Sequence, residues 1–417
     1  MSEKKNRNGL IILFFIYALL TVLYIINIFG IFGLVFWEVA FIFAIPGAIC
    51  IIWALRRIIG VKKRRIQKYR HPLVVFTLII FIFFSIFAII PFLYVIPLGT
   101  QFDNQFKAYF GEDYYNQIPE VYRNRIKAQG NYYDLRDVRY FINNELTVQS
   151  DIPYGSDEYQ KFDVYEDTSI TGTNKPAVLV VHGGGSTTFT TKTSLNYAMA
   201  CRYFASLGFV SFSIEYTPAP IINFPKGVAD VMKAIVHIKN NSASYGIDNN
   251  SIVLFGSSRG GHLVTQCAYT GVNNDDWWRA RGGNYTASEL KIACVVNLYG
   301  AVDQFYGAQI GQFIASRNEI IFGGTPDEKN DTYWHHTVKN YVSSTCPPTL
   351  TLHGTIDGMV NIGESHGLVE ALNAKNAPNI FLEVPFGQHG FEAIPGTPGN
   401  CLAYYFISRF ILMVLFG

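Results

Sequence analysis

The stretch LFGSSRGGHL, residues 254–263, sets a serine between glycines directly after an apolar run and directly before a helix-like pattern. Gly256-Ser257-Ser258-Arg259-Gly260 fits G-x-S-x-G, an arrangement with a steric purpose. A nucleophile on a sharp strand-to-helix turn is driven into an unfavourable backbone conformation costing about 1–3 kcal/mol. Residues without side chains two before and two after, Gly256 and Gly260, let the chain pass that closely. The helix start then aims its amides and partial positive charge at any anion formed there. The flanking glycines have the wrong spacing for Ser257. The rival reading, a glycine-rich turn with no chemistry, stands or falls on whether partners for Ser258 occur in the right order.

Three further stretches supply such partners. His182-Gly183-Gly184-Gly185 follows the run AVLVV. Glycines there present backbone amides to an oxyanion with no side chain in the way, and one such donor is worth about 2.7–4 kcal/mol of barrier. The expected donors are the amides of Gly184, Gly185 and the residue after the nucleophile, Arg259. In LHGTIDGMV (352–360), Asp357 follows a strand and can orient an imidazole, with Glu364 the fallback acid and His353 read as closing the strand. In FGQHGFE (386–392), His389 follows the last clear strand between glycines. His262, His335 and His336 are read as structural. Ser258, Asp357 and His389 then occur in the chain order of an α/β-hydrolase triad.

Strand-like runs carry these residues: KFDVY, AVLVVH, FVSFSIEY, SIVLFG, IACVVNLY, TLTLHG and NIFLEVP, with helical patterns between them at 194–207 and 226–240. Such alternation, with near-continuous apolar strands, predicts an α/β fold: a mostly parallel sheet with helices on both faces. Sites in such sheets gather at the carboxyl ends of the strands. The segment 301–345, containing VDQFYGAQIGQF and DTYWHHTVKN, is read either as a modest cap over the pocket or as core packing.

Residues 146–416 resemble an α/β-hydrolase-fold esterase of the carboxylesterase/lipase type with an HGGG motif. The likeness is to the branch with feruloyl-esterase-like and hormone-sensitive-lipase-like enzymes. DIPYGSDEYQKFDVY, VVHGGG, GFVSFSIEYTPAP, FPKGVADVMKAIVHIKNNSASYGIDNNSIVLFGSSRGGHL, PPTLTLHGTIDGMV and GQHGFE carry it. The resemblance implies a serine hydrolase mechanism with no metal or organic cofactor. Arg259 departs from the pattern, since such enzymes usually carry a small residue there. Its guanidinium either recognises an anionic group on the substrate or points into the flanking helix or pairs with an acid. A serine peptidase or acyltransferase of the same fold, and a non-catalytic membrane sensor or scaffold, are the rival functions. The span 101–145 is too short for the propeller domain of prolyl-oligopeptidase-like peptidases.

Charge is divided unevenly along the 417 residues. Residues 1–100 hold eleven Lys and Arg against Glu3 and Glu38, leaving 22 basic and 29 acidic residues for 101–417, so a net +2 conceals about +9 and −7. An acidic domain without basic stripes argues against nucleic acid as partner. The N-terminal part reads as an all-α transmembrane segment of about three helices, near 10–30, 34–55 and 73–97, because a span needs about 20 apolar residues. The second contains Glu38, Pro46 and Gly47 and is either a full span or re-entrant. Lys4, Lys5 and Arg7 precede the first span, and eight basic residues fill 56–70 before the third. Basic loops stay cytoplasmic, which sets the catalytic domain, 146–417, on the outer side, with the lipid bilayer as partner. The connector 101–145 either lies on the membrane interface or packs on the domain. None of the six cysteines shows CxxC or zinc spacing; they are read as small buried hydrophobes, with a disulfide pair the alternative where the domain meets an oxidising compartment. The expected substrate is a small-molecule or glycan-linked ester.

Overall fold

A computed structural model describes residues 92–184, 191–218, 225–273, 275–310 and 318–417. The spans near 10–30 and 34–55, and the third as far as residue 91, lie outside the described residues.

Eight strands form one sheet in the order β1-β2-β4-β3-β5-β6-β7-β8. They are β1 (Thr147–Pro153), β2 (Lys161–Glu166), β3 (Lys175–Val181), β4 (Val210–Ile214), β5 (Ile247–Ser257), β6 (Cys294–Leu298), β7 (Thr349–Gly354) and β8 (Asn379–Val384). β1 and β2 pair antiparallel, as do β2 and β4, whereas every other neighbouring pair is parallel. β1 had no apolar signal because it is an edge strand, exposed at every position but Ile152. Polar edges resist pairing with other chains.

The central strands are apolar at successive positions because helices cover both faces. Val178, Val180, Val253, Phe255 and Val296 point into one core, while Leu179, Val181, Leu254 and Val295 point into the other. A helix over 92–110, which we call α1, covers the first face together with α2 (Leu195–Leu207) and the C-terminal α6 (Pro398–Phe416). The second is covered by α3 (Pro225–Asn240), α4 (Arg259–Asn273) and α5 (Gly363–Ala374). Among the described residues α6 alone is long and apolar enough to cross a membrane, yet 83% of its apolar window is buried within the protein. Its Arg409 is fully buried, and Nη2 donates to the Lys127 carbonyl at 2.6 Å.

The connector packs on the domain rather than apart from it. α1 runs on past residue 97 to 110, and its Phe102 and Phe106 rings meet Phe406 of α6 at 5.5 and 5.0 Å. Lys127 Nζ donates to the Cys401 carbonyl at 2.8 Å. The five described cysteines, Cys201, Cys267, Cys294, Cys346 and Cys401, are all buried and unbridged. Truncating the fully buried Phe106 should cost about 3–5 kcal/mol. Urea unfolding of the Phe106→Ala protein measures this, and a loss below about 1 kcal/mol would contradict connector packing.

Candidate active site

β5 ends at Ser257 and α4 begins at Arg259, so Ser258 alone makes the turn. Its φ of 57° lies in the left-handed region, which non-glycine residues occupy at a cost of about 1–3 kcal/mol. Two backbone bonds hold it there: the Ser258 amide donates to Leu298 O at 2.8 Å, and the His262 amide donates to Ser258 O at 3.1 Å. The glycines are sterically required. A Cβ at residue 256 would stand 2.3 Å from Gly260 O, and one at residue 260 would stand 2.1 Å from Val181 O. Arg259 and its successors open α4, where first-turn amides have no intrahelical acceptor and the helix dipole is positive.

Asp357 and His389 arrive from the loops after β7 and β8. His389 Nδ1 lies 2.8 Å from Asp357 Oδ2, with both side chains almost fully buried. Asp357 Oδ1 accepts from the Met359 and Val360 amides at 2.8 and 2.9 Å. Burial by itself would push the Asp357 carboxyl up, but the charge and hydrogen bond of His389 and the hydrogen bond of His353 hold it well below the usual carboxylate range. It is therefore an anion ready to fix one imidazole tautomer. The imidazole packs on the Tyr299 ring, with centroids 4.5 Å apart. Tyr299 directly follows Leu298, the acceptor of the Ser258 amide, so Ser258 and His389 both abut the end of β6.

The HGGG turn lies against the same elbow. A Cβ on Gly183 would stand 3.1 Å from Ser258 Cβ. The Gly183 amide donates to Tyr197 Oη at 2.6 Å, and that hydroxyl lies 3.0 Å from Ser257 Oγ. The next residue, Gly184, turns with φ 79°. Gly185 lies outside the described residues. His182 anchors the turn: its Nε2 is 2.9 Å from Glu215 Oε1, and its ring stacks on Tyr216 at 4.3 Å. The Tyr216 hydroxyl donates to His182 O at 2.8 Å.

Other residues singled out in the sequence fall elsewhere. The fallback acid Glu364 is on the first turn of α5, fully buried, with Oε2 accepting from the Asp303 amide at 3.0 Å. His353 does close β7, but it also touches the site: Nε2 lies 3.3 Å from Asp357 Oδ2 and 2.9 Å from Val360 O. Its Nδ1 is 2.7 Å from Ser365 Oγ, so both ring nitrogens are engaged. The Arg259 side chain is buried, and its Nη2 lies 3.6 Å from where a Gly227 Cβ would sit, on the first turn of α3. That places the guanidinium against the flanking helix, where it also interacts with the Tyr216 hydroxyl. His262 and His336 are buried, the former with Nε2 3.0 Å from His336 O, while His335 stacks on Trp277 at 4.2 Å. Within 301–345, Phe322 and Tyr333 make a small core of their own with Phe305, and 311–317 lie outside the described residues. Tyr197, Tyr299 and Glu392 gave no motif signal, because a lone aromatic or acid beside a strand end has no distinctive spacing.

A serine on a left-handed strand-to-helix turn, beside an Asp–His pair at the carboxyl edge of a mostly parallel sheet, defines the α/β-hydrolase class. The BD-FAE family model matches residues 162–372, just over half of the 417, and the chain belongs to that family. The match includes Ser258 and Asp357 and ends before His389. Over 248 residues the chain is 29% identical to esterase LipC of Mycobacterium tuberculosis, covering 58% of this chain and 60% of that one. Over 261 residues it is 26% identical to the probable carboxylic ester hydrolase LipM of the same organism, covering 61% and 58%. The chain thus spans about three-fifths of these relatives' length. Esterase B of Lactobacillus rhamnosis superposes with a TM-score of 0.54 at 17% identity, over 66% of this chain and 90% of that one, a likeness of fold.

Burial pushes the Glu364 carboxyl up to about 8, with the Asp303 charge adding to the rise. A folded state that keeps this proton while the unfolded state has lost it must lose stability as pH rises between the two values. Glu364→Gln is therefore expected to flatten the decline in unfolding free energy between about pH 5 and pH 8. Denaturant titrations at a series of pH values check it, and parallel wild-type and variant curves would contradict it.

Proposed function

We propose that the protein is a membrane-anchored serine esterase. Ser258 Oγ attacks the ester carbonyl carbon while His389 takes the hydroxyl proton. The bond to the leaving alcohol then breaks, and the imidazolium returns that proton to the departing oxygen. Water, deprotonated by the same imidazole, adds to the acyl-enzyme, releasing the carboxylic acid and restoring Ser258. Asp357 holds the imidazole tautomer and stabilises its cation. The amides of Arg259 and Gly184, with Gly185, receive the oxyanion.

The carrying observation is the 2.8 Å Asp357–His389 bond beside a nucleophile-type turn at Ser258. Ester rather than amide hydrolysis is supported by the names of both curated relatives above. The substrate is a carboxylic ester, small-molecule or glycan-linked, met on the extracytoplasmic side. Membrane attachment is supported by the apolar runs of the first hundred residues and the basic clusters between them. The exposed Leu93 and Ile96 at the start of α1, 67% and 65% accessible, fit a helix emerging from a bilayer.

A fluorophosphonate probe tests the chemistry. Wild-type protein should be labelled covalently and Ser258→Ala should not, with p-nitrophenyl ester hydrolysis falling at least about a thousandfold in the variant. Labelling that survives Ser258→Ala rejects the assignment. The topology is tested separately by a reporter fused at residue 150, which should be active only outside the cytoplasm.

A further inference from the structure

Glu392 lies three residues beyond His389 and is buried with its carboxyl turned to the back of the site. Its Oε1 accepts from the Tyr299 hydroxyl at 2.5 Å. The Tyr299 ring in turn lies on the His389 imidazole, centroids 4.5 Å apart and planes tilted by 57°. Tyr299 needs restraint, because its φ of 38° is left-handed and it bears a large ring. The loop is tied a second time where Asn400 Nδ2 donates to Glu392 O at 2.7 Å. Among the described residues no other side chain donates to the buried Oε2. Glu392 also lines a cavity of about 10 Å³ shared with Ser257, Tyr197 and Asn400. That is roughly the space one water needs.

We infer that Glu392 is a positioning residue for His389, holding the Tyr299 ring against the imidazole and supplying a second anion behind it. The inference rests on His389 being the general base. When the imidazole takes the Ser258 proton, its positive charge is stabilised by Asp357 at Nδ1 and by Glu392 through the Tyr299 ring. The groups that face Glu392 are Tyr299, Tyr197 and Tyr404 and, beyond the ring, His389 and Asp357. Burial pushes its carboxyl up to about 7, opposed by the Tyr299 hydrogen bond and the His389 charge and reinforced by Asp357.

Three variants read the two roles separately, with p-nitrophenyl acetate as substrate and full-length protein in detergent. Glu392→Gln keeps an acceptor for the Tyr299 hydroxyl and removes the charge. With less negative charge nearby the imidazole holds its proton less tightly, so the acidic limb of the kcat/KM profile should move to lower pH by about half a unit. Tyr299→Phe and Glu392→Leu break the tether, and each should lower kcat by about tenfold with KM within about twofold. Because both break one link, the double variant should be no slower than the slower single. An unmoved acidic limb in folded Glu392→Gln, or multiplying losses in the double variant, overturns the proposal. Ser258→Ala is the control: its inactivity upholds the triad independently, and activity there would remove the triad and this inference together.

Discussion

The site depends on one crowded crossing, where the turn from β5 into α4 passes the end of β3 with no room for side chains. A methyl at Gly256 would meet the Gly260 carbonyl, and a methyl at Gly260 would meet the Val181 carbonyl, so neither position tolerates one. Gly261 is similarly confined, where a Cβ would stand 2.5 Å from Asn297 Oδ1 on β6. With both strands beside it fixed by parallel ladders, the chain can reverse only if Ser258 accepts a left-handed φ. The strain is opposed by the bond from its amide to Leu298 O and by the buried strands on either side. Ser258 itself stays partly exposed there, at the end of β5.

The rest of the site is arranged around charge. Asp357 is buried and yet remains an anion, because four donors converge on it: the Met359 and Val360 amides, His389 and His353. Burying a carboxylate costs several kcal/mol unless its lone pairs are filled, and this loop fills them. Glu364 and Glu392, equally buried with fewer donors, are pushed up instead. The three acids have similar burial, and the difference between them is the number and sign of their partners. That separates Asp357 from the fallback acid Glu364 without appeal to motif.

The elements that position the site were legible in the sequence for a physical reason. Strands buried on both faces must be apolar throughout, so β3, β5, β6 and β7 could be read directly. Gly256, Ser258 and Gly260 carry a spacing that steric crowding enforces. β1 was not legible, because an exposed edge strand has no apolar periodicity to display. α6 was missed because a helix buried all round lacks an amphipathic stripe. The Tyr299–Glu392 tether depends on two loops meeting across 93 residues, and no local pattern encodes such a meeting. Arg259, whose type departs from the family habit, could be noticed from sequence, but its lie along α3 required the fold.

The connector bears on how the proposed anchor and the hydrolase domain relate. A flexible tether would let the domain tumble above a surface, and its sequence would be polar and low in aromatics. Residues 92–145 instead give Phe102, Phe106, Tyr114, Ile118 and Phe141 to the core beneath the sheet. Near the start of α1, Tyr94 meets the Phe386 ring edge-to-face at 5.6 Å, three residues before His389. Phe386 itself turns with φ 59°, and its amide donates to Thr355 Oγ1, two residues before Asp357. The two loops bearing the acid and the base are thus bonded to each other and braced on the first helical turn of the described chain. In the proposed topology that turn is where the protein leaves the bilayer. The height and tilt of the site above the membrane would then be set by packing rather than by linker length.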